Sequence, residues 1–327
     1  MVTNNNLSVF IRIFSYSILA LTFVFLINNV LTVWFDWPGL KQLFAHHGLF
    51  GFKKLSTPLD GAVLNLTYIQ LSFYFISFIA VIYFVLKSIN QTLETDAKIL
   101  TNITAYIVRS SFWAVLIVGI ADFIISFLVV EKLAEPIFNE AIKINLVIPT
   151  FRITFIHFPL ILISFVIGYF TRSVGFIWLA VLVVGSEFLI VLSRFIFEYE
   201  QAFQGDLVRF WYAALYLFAS AYALIHEGHV RVDVLYTGFS ERKKAWTNTI
   251  GSLLFGIPLC LIIIFLGMGG KASIINGPVI SFEITQQGSN GLYLLYLMAV
   301  YLAVFAVTML IQFTSYFMDS SHKLLKN

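Results

Sequence analysis

The sequence predicts an all-α membrane protein, a polytopic bundle of about eight transmembrane helices. Two features of its composition indicate this class: 60% of the 327 residues are hydrophobic, and only 11% are charged. Soluble domains carry about 25% charged residues, so the deficit indicates that lipid surrounds most of the chain. The third observation is that the apolar residues form continuous runs. A transmembrane β-barrel would instead show alternating segments of about ten residues.

The individual spans follow from the length of these apolar runs, because a helix needs about 20 apolar residues to cross a bilayer. Most tryptophans also fall near the ends of the runs, where interfacial aromatic residues are expected; these are Trp34, Trp37, Trp178, Trp211 and Trp246. The predicted spans are Val9–Trp34, Ala62–Leu86, Thr104–Val130, Val147–Tyr169, Gly175–Phe197, Leu207–Ile225, Thr249–Met268 and Gly291–Phe317.

Composition and motifs also argue against several classes of function. The net charge of +3 is small and scattered, so no nucleic-acid partner is expected. The single cysteine, Cys260, lies in an apolar run and can form neither an internal disulfide nor a thiolate metal site. We find no phosphate-binding glycine loop, nucleophile elbow or HExxH zinc motif, so neither an enzyme nor a bound cofactor is predicted.

The longest polar interruption is HEGHVRVDVL, residues His226–Leu235, which precedes the basic stretch Glu241–Lys244. His226 and His229 could share a helix face, but no second cluster of ligands accompanies them, so we interpret this stretch as a solvated loop. Four Lys and Arg residues crowd the connection, whereas the loop Glu198–Asp206 has none. Because positive charge favours the cytoplasmic side, the sequence predicts that this connection and both termini are cytoplasmic.

Asp122, His157 and Glu187 are ionisable residues that lie well inside the third, fourth and fifth predicted spans. Such residues are expensive in lipid, so an ion or proton relay is one interpretation. The other, which we favour, is a polar contact between helices, with each acid protonated or paired with a Ser, Thr or Arg of a neighbour. Glu187 and Arg194 share a helix face but lie about 10.5 Å apart along the axis, too far for a direct bridge. Both are therefore expected to face protein.

Four stretches of the second half resemble a known family. They are LSRFIFEYE (Leu192–Glu200), FQGDLVRFWYAALYLFASAYAL (Phe203–Leu224), GHVRVDVLY (Gly228–Tyr236) and GSLLFGIPLC (Gly251–Cys260). Together they resemble the small membrane subunit of tripartite ATP-independent periplasmic (TRAP) transporters, in its mannitol/chloroaromatic-type branch. The family usually has a Glu-Leu pair where this chain has Asp206–Leu207. The family-signature cytoplasmic loop corresponds here to His226, Gly228, His229, Val230, Arg231, Val232 and Asp233.

The resemblance implies a division into an N-terminal four-helix membrane extension, residues 1–174, and a four-helix small-permease domain, residues 175–327. It also implies a multi-pass protein of the bacterial inner membrane that holds a large permease subunit in the bilayer. That subunit would carry out sodium-coupled uptake of an organic solute, most simply an organic acid, delivered by a periplasmic solute-binding protein. Membrane lipids and the large permease are thus the expected direct partners.

The surface expected to contact the large permease carries four charges near one membrane face that have no obvious partner in the sequence: Glu187, Arg194, Asp206 and Arg209. Two other classes of function stay open at this point. One is a stand-alone ion-coupled transporter that uses Asp122, His157 and Glu187. The other is a membrane redox subunit similar to cytochrome b, which would need two buried histidines on facing helices.

Overall fold

The computed structural model describes residues 5–171, 176–225, 236–284 and 291–326, and within these ranges it contains thirteen α-helices and no β-strand. The predicted all-α class is therefore confirmed. The helices are α1 (Asn5–Trp34), α2 (Gly39–His47), α3 (Gly61–Lys87), α4 (Leu93–Val130), α5 (Glu140–Leu146), α6 (Pro149–Arg152), α7 (Phe158–Phe170), α8 (Phe176–Phe197), α9 (Ala202–Ile225), α10 (Glu241–Gly251), α11 (Ile257–Gly267), α12 (Asn276–Ile280) and α13 (Leu295–Lys326).

Six helical segments of the described chain are long and apolar enough to cross a membrane, which supports a multi-pass membrane protein. Helices α8 and α9 also lie where the fifth and sixth spans are predicted. The total of eight spans and the orientation of the termini stay predictions. The six segments are Asn6–Trp34, Gly61–Lys87, Leu93–Val130, Pro149–Phe170, Glu241–Gly267 and Leu295–Lys326.

The family-signature loop lies outside the described residues. This holds for each of its members, His226, Gly228, His229, Val230, Arg231, Val232 and Asp233. The cytoplasmic position of the loop therefore stays a prediction.

Two of the membrane segments contain a proline beyond their first turn, and each accommodates it with one π-helical turn. The turns are Ile153–His157, just before Pro159, and Ser252–Gly256, just before Pro258. Proline lacks an N–H, and its ring clashes with the preceding helical turn. A π turn is a wider turn of the same helix, so the segment continues across it. At both prolines the helix is thus locally widened rather than broken.

The described chain forms two compact units that interleave along the sequence. The first comprises Met1–Leu100, Val232–Ser273 and Phe313–Asn327, and the second comprises Thr101–Arg231 and Ile274–Gln312. Each unit draws residues from both sides of position 174. The division of the chain at that position, which follows from the resemblance, stays a prediction.

The first unit contains a buried ion pair. The Arg12 side chain in α1 is fully buried, and its Nε donates to Asp96 Oδ2 at 2.6 Å. The guanidinium also donates to the Ser88 carbonyl oxygen at 2.7 Å and to the Ser88 hydroxyl at 2.8 Å. These bonds join α1 to the end of α3 and to the first turns of α4.

The second unit contains an apolar core. One face of α9 supplies Phe203, Leu207, Phe210, Ala214 and Phe218, spaced three or four residues apart and all at most 2% exposed. This spacing places them on one side of the helix. The core also contains buried residues of α4, of the segment that leads into α13 and of α13 itself, among them Phe112, Val115, Val118, Leu292, Leu294 and Tyr301.

Trp211 corrects one expectation. The sequence places it at a membrane interface, yet the structure buries it in this core at 5% exposure. Its indole Nε1 donates to the Val115 carbonyl oxygen at 3.3 Å, which satisfies the polar end of the ring inside the protein. Trp34, Trp178 and Trp246 do lie exposed near helix ends.

We expect Gly168→Ala to destabilise the second unit. A Cβ at Gly168 of α7 would lie 2.9 Å from the Ser110 Cα and 3.0 Å from the Ser110 amide nitrogen in α4, so backbone would have to move. Overpacking of this kind costs about 1–3 kcal/mol. Gly185→Ala in α8 is the matched control, because nothing lies within 4 Å of its Cβ position. Fluorescence-detected melting in mild detergent should show a lower transition for Gly168→Ala than for Gly185→Ala. Equal transitions would contradict the close packing of α4 and α7.

Candidate functional site

The second unit buries an ionic group that we call the Asp122 cluster. Its members come from α4, from the α6–π–α7 segment and from the chain around the start of α13. Arg152 is 1% exposed, and Asp122 and His157 are fully buried, so these side chains are shielded from bulk solvent. The cluster comprises Asp122, Ser126, Arg152, His157, Tyr293 and Tyr296.

Both carboxylate oxygens of Asp122 have donors. Oδ1 accepts from Arg152 Nη1 at 2.9 Å and lies 3.0 Å from His157 Nε2, and Oδ2 accepts from the Tyr293 backbone N–H at 2.8 Å. Because an ionised carboxylate can only accept, His157 Nε2 must carry a proton. In the neutral ring, Nδ1 is then left to accept from the Tyr296 hydroxyl at 3.1 Å. The carboxylate of α4 is thus held by donors from two other segments of the chain.

The Arg152 guanidinium has several partners as well. Its Nε donates to the Leu146 carbonyl oxygen at 3.1 Å, and Nη1 donates to the Ser126 hydroxyl at 3.0 Å as well as to Asp122. The face of the cation lies 4.0 Å from the centre of the Tyr293 ring, a distance at which the ring attracts it. Breaking a buried pair by removing one member costs about 3–5 kcal/mol, so these contacts matter for folding.

The π turn explains how Arg152 and His157 reach the same carboxylate. They are five residues apart, and in an α-helix with 3.6 residues per turn they would point about 140° apart. In the π turn, the Phe158 N–H bonds to the Ile153 carbonyl oxygen, five residues back. Five residues then complete roughly one turn, which brings both side chains to one face. Pro159 therefore contributes to the site through the backbone.

The sequence singled out Asp122 and His157 but not Arg152. The structure supports the interpretation of Asp122 as a contact between helices, paired with an arginine of a neighbouring segment. The signal that could have found the pair was present, since Arg152 stands inside the fourth predicted span and has the opposite charge. What the sequence could not show is which helices are adjacent.

Three of the four predicted partner-contact residues have partners within the chain. Arg194 is 66% exposed and pairs with Glu200, and its Nε lies 2.9 Å from Glu200 Oε2. Asp206 is buried, and one carboxylate oxygen lies 3.7 Å from Nη1 of Arg209, whose side chain is 60% exposed. The expectation that these three residues lack partners is therefore wrong. Their contact with a second subunit stays a prediction.

The loop between α8 and α9 is tied to the end of α4. The Tyr199 hydroxyl donates to Glu131 Oε1 at 2.7 Å, and the Gln201 amide donates to the same oxygen. The hydrogen bond to the Glu131 carboxylate favours the protonated phenol and so raises the pKa of Tyr199. These bonds fix the α8–α9 loop, and with it the adjoining ends of α8 and α9, against the end of α4.

Glu187 is the fourth predicted partner residue, and it differs from the others. It lies in the middle of α8, is exposed, and forms no hydrogen bond or ion pair with any residue that the structure describes. The expectation that Glu187 and Arg194 face protein is not met within this chain, since both side chains are exposed. An acidic side chain at the bilayer centre costs about 2.5–3.5 kcal/mol on insertion scales.

The arrangement does not provide an evident metal site. In the part of the chain that the structure describes, no three His, Cys, Asp or Glu side chains come close enough together to hold a metal ion. Both ring nitrogens of His157 are already occupied by Asp122 and Tyr296.

One comparison with known proteins gives a match. Residues 174–318 match the family model described as "Tripartite ATP-independent periplasmic transporters, DctQ component". No curated protein and no solved structure matches the chain. The matched segment supports a small permease subunit of a TRAP transporter. It includes Tyr293 and Tyr296, whereas Asp122, Arg152 and His157 precede it, so the Asp122 cluster joins residues before the matched segment to residues within it.

We expect Asp122→Leu to destabilise the protein strongly, because Arg152 would be left buried without its counter-ion. The predicted loss is about 3–5 kcal/mol of unfolding free energy. The double variant Asp122→Leu/Arg152→Met should recover most of that loss, since it removes both charges. Unfolding followed by intrinsic fluorescence in mild detergent measures both.

Glu187→Leu is the matched control for this comparison. It also removes an acid from a membrane helix, but from one with no partner among the described residues, so no loss of stability is expected. A double variant that is no more stable than Asp122→Leu would show that the Asp122–Arg152 pair is not what holds the cluster.

Proposed function

We propose that the chain is the small membrane subunit of a TRAP-type secondary transporter in the bacterial inner membrane. In this role it scaffolds a large permease subunit that takes up an organic solute, most simply an organic acid, with sodium as the coupling ion. A periplasmic solute-binding protein delivers the solute to the complex. The observation that carries the proposal is the family match over residues 174–318.

The Asp122 cluster favours a scaffold over a stand-alone ion-coupled transporter. Such a transporter would need acidic groups free to take up and release an ion or a proton. Asp122 instead holds Arg152 and His157, and both of its oxygens have donors. Glu187 lies on the outer surface of α8 rather than in an interior path. These residues therefore serve folding and surface contact better than ion translocation.

The same cluster argues against a redox subunit similar to cytochrome b. A haem in such a protein needs histidine nitrogens that are free to bind iron. His157 is the histidine that lies well inside a predicted span, and its two nitrogens contact Asp122 and Tyr296 at 3.0 Å and 3.1 Å. Binding iron would require the loss of one of these buried contacts.

The proposed contact surface for the large permease is formed by the α8–α9 pair, with Glu187, Arg194, Asp206 and Arg209 as its charged members. The exposed heads of Arg194 and Arg209 support this surface, because each remains accessible despite its partner within the chain. Charged groups at the rim of an interface add selectivity for the correct partner.

Reconstitution tests the proposed function directly. The chain alone in proteoliposomes should give no ion-driven uptake, whereas the chain together with its large permease and binding protein should. Ion-driven uptake by the chain alone would establish the stand-alone transporter instead. Stable recovery of the chain without any large permease, from cells that express both, would contradict the scaffold role.

We expect Arg194→Glu to reduce recovery of the large permease about tenfold in affinity purification, since it places a negative charge on the proposed surface. The informative comparison is the swap Arg194→Glu/Glu200→Arg, which restores an ion pair within the chain. If Arg194 contacts the large permease, the swap stays as poor as the single variant. If the swap recovers wild-type yield, Arg194 acts only through Glu200 and does not belong to the interface.

A further inference from the structure

We propose that the outer face of α8 docks one transmembrane helix of the large permease, and that this helix carries a cationic or hydrogen-bond-donating side chain opposite Glu187. The inference rests on the proposed function and narrows it, from four charged residues on two helices to one polar contact at mid-membrane depth.

The position of Glu187 along α8 determines how deep it lies in the membrane. Helix α8 has 22 residues, of which eleven precede Glu187 and ten follow it. At 1.5 Å per residue, the carboxylate lies about 15 Å from either end of the helix. The hydrocarbon core of a bilayer is about 30 Å thick, so Glu187 lies near its centre if α8 spans as the sequence predicts. A short glutamate side chain cannot reach the headgroups from there.

The neighbours of Glu187 on α8 cannot pair with its carboxylate. Residues three and four positions away on a helix are the ones whose side chains can meet. For Glu187 these are Val183, Val184, Ile190 and Val191, all of them apolar. Since the described chain provides no other donor, the group that balances Glu187 must come from outside that part of the chain.

The exposed face of α8 carries a regular row of apolar side chains. Five exposed apolar side chains follow α8 at alternating spacings of three and four residues: Val181, Val184, Phe188, Val191 and Phe195. Alternating three- and four-residue spacing forms the seam along which two helices pack at a shallow angle. Glu187 directly precedes Phe188, at the centre of this seam. In heptad terms it occupies the flanking position from which charged side chains reach a partner helix.

The partner that packs on this face of α8 must supply a cation or a hydrogen-bond donor near Glu187. A second copy of this chain, packed across the same seam, would offer no cation near the middle of α8, because its one basic residue is Arg194 in the last turn. Lipid tails offer no hydrogen-bond donor at all. A helix of the large permease can bring a cation or a donor to this depth, and electrostatic complementarity of this kind selects one partner over others.

The experiment uses the complete chain expressed with the large permease. Glu187→Leu should lower recovery of the large permease at least about tenfold, because the donor on the partner helix is then buried without its acceptor. Glu187→Gln, which can still accept a hydrogen bond, should recover more of the large permease than Glu187→Leu does. The purified Glu187→Leu chain should melt no lower than wild type, which separates lost docking from misfolding.

A photo-crosslinking phenylalanine analogue supplies the positional test. Introduced at Phe188, 58% exposed beside Glu187, it should crosslink to the large permease. The matched control is Phe75, an exposed phenylalanine (62%) inside a different membrane helix, α3, which should not. A crosslink from Phe188 to a second copy of the chain, or to lipid alone, would overturn the proposal.

Recovery of the large permease distinguishes the α8 contact from the scaffold function. If the wild-type chain recovers the large permease but Glu187→Leu recovers it equally well, the α8 contact is wrong and the scaffold function stands. If the wild-type chain recovers no large permease under any condition, the proposed function fails and the α8 contact fails with it.

Discussion

The physical constraint on which the rest depends is that a charge removed from water must be matched inside the protein. Both compact units obey it. In one, Arg12 is buried against Asp96 and Ser88, and in the other Asp122 is buried against Arg152 and His157. Each cluster joins different helices of the chain, since the two members of each ion pair lie on separate helices. The buried charges thereby specify which helices pack together.

Backbone geometry and ion pairing are coupled in the Asp122 cluster. Pro159 requires a local change in helix winding, the π turn supplies it, and the π turn puts Arg152 and His157 on one face. An uninterrupted α-helix would direct them to different sides. Pro159 thus contributes to the site through the backbone, and Arg152 contributes through its charge. Prolines in membrane helices are tolerated where neighbouring groups can compensate, and here the compensation has a structural use.

Residues before the family match and residues within it share the core of the second unit. Asp122 accepts from the Tyr293 N–H, and Trp211 donates to the Val115 carbonyl oxygen, so α4 is bonded to both later segments. Gly119 allows the contact with α9, since a Cβ at this position would lie 2.8 Å from Trp211 Nε1. Glu187 differs from these buried and paired groups. It lies exposed in the middle of α8, so its expected role is contact with a partner rather than stabilisation of the fold.

The sequence by itself determined the all-α membrane class, the approximate places of the helices and the resemblance that the match over residues 174–318 supports. These follow from the lengths of apolar runs and from local sequence motifs, which depend only on residues close together in the chain. It also showed that Asp122, His157 and Glu187 are costly in lipid. Only the tertiary structure decided their different roles. It pairs Asp122 and His157 with Arg152 and Tyr296, pairs Arg194 with Glu200, and leaves Glu187 exposed. The reason is that a partner's identity depends on which helices are adjacent and how each is rotated, and neither is written in hydropathy.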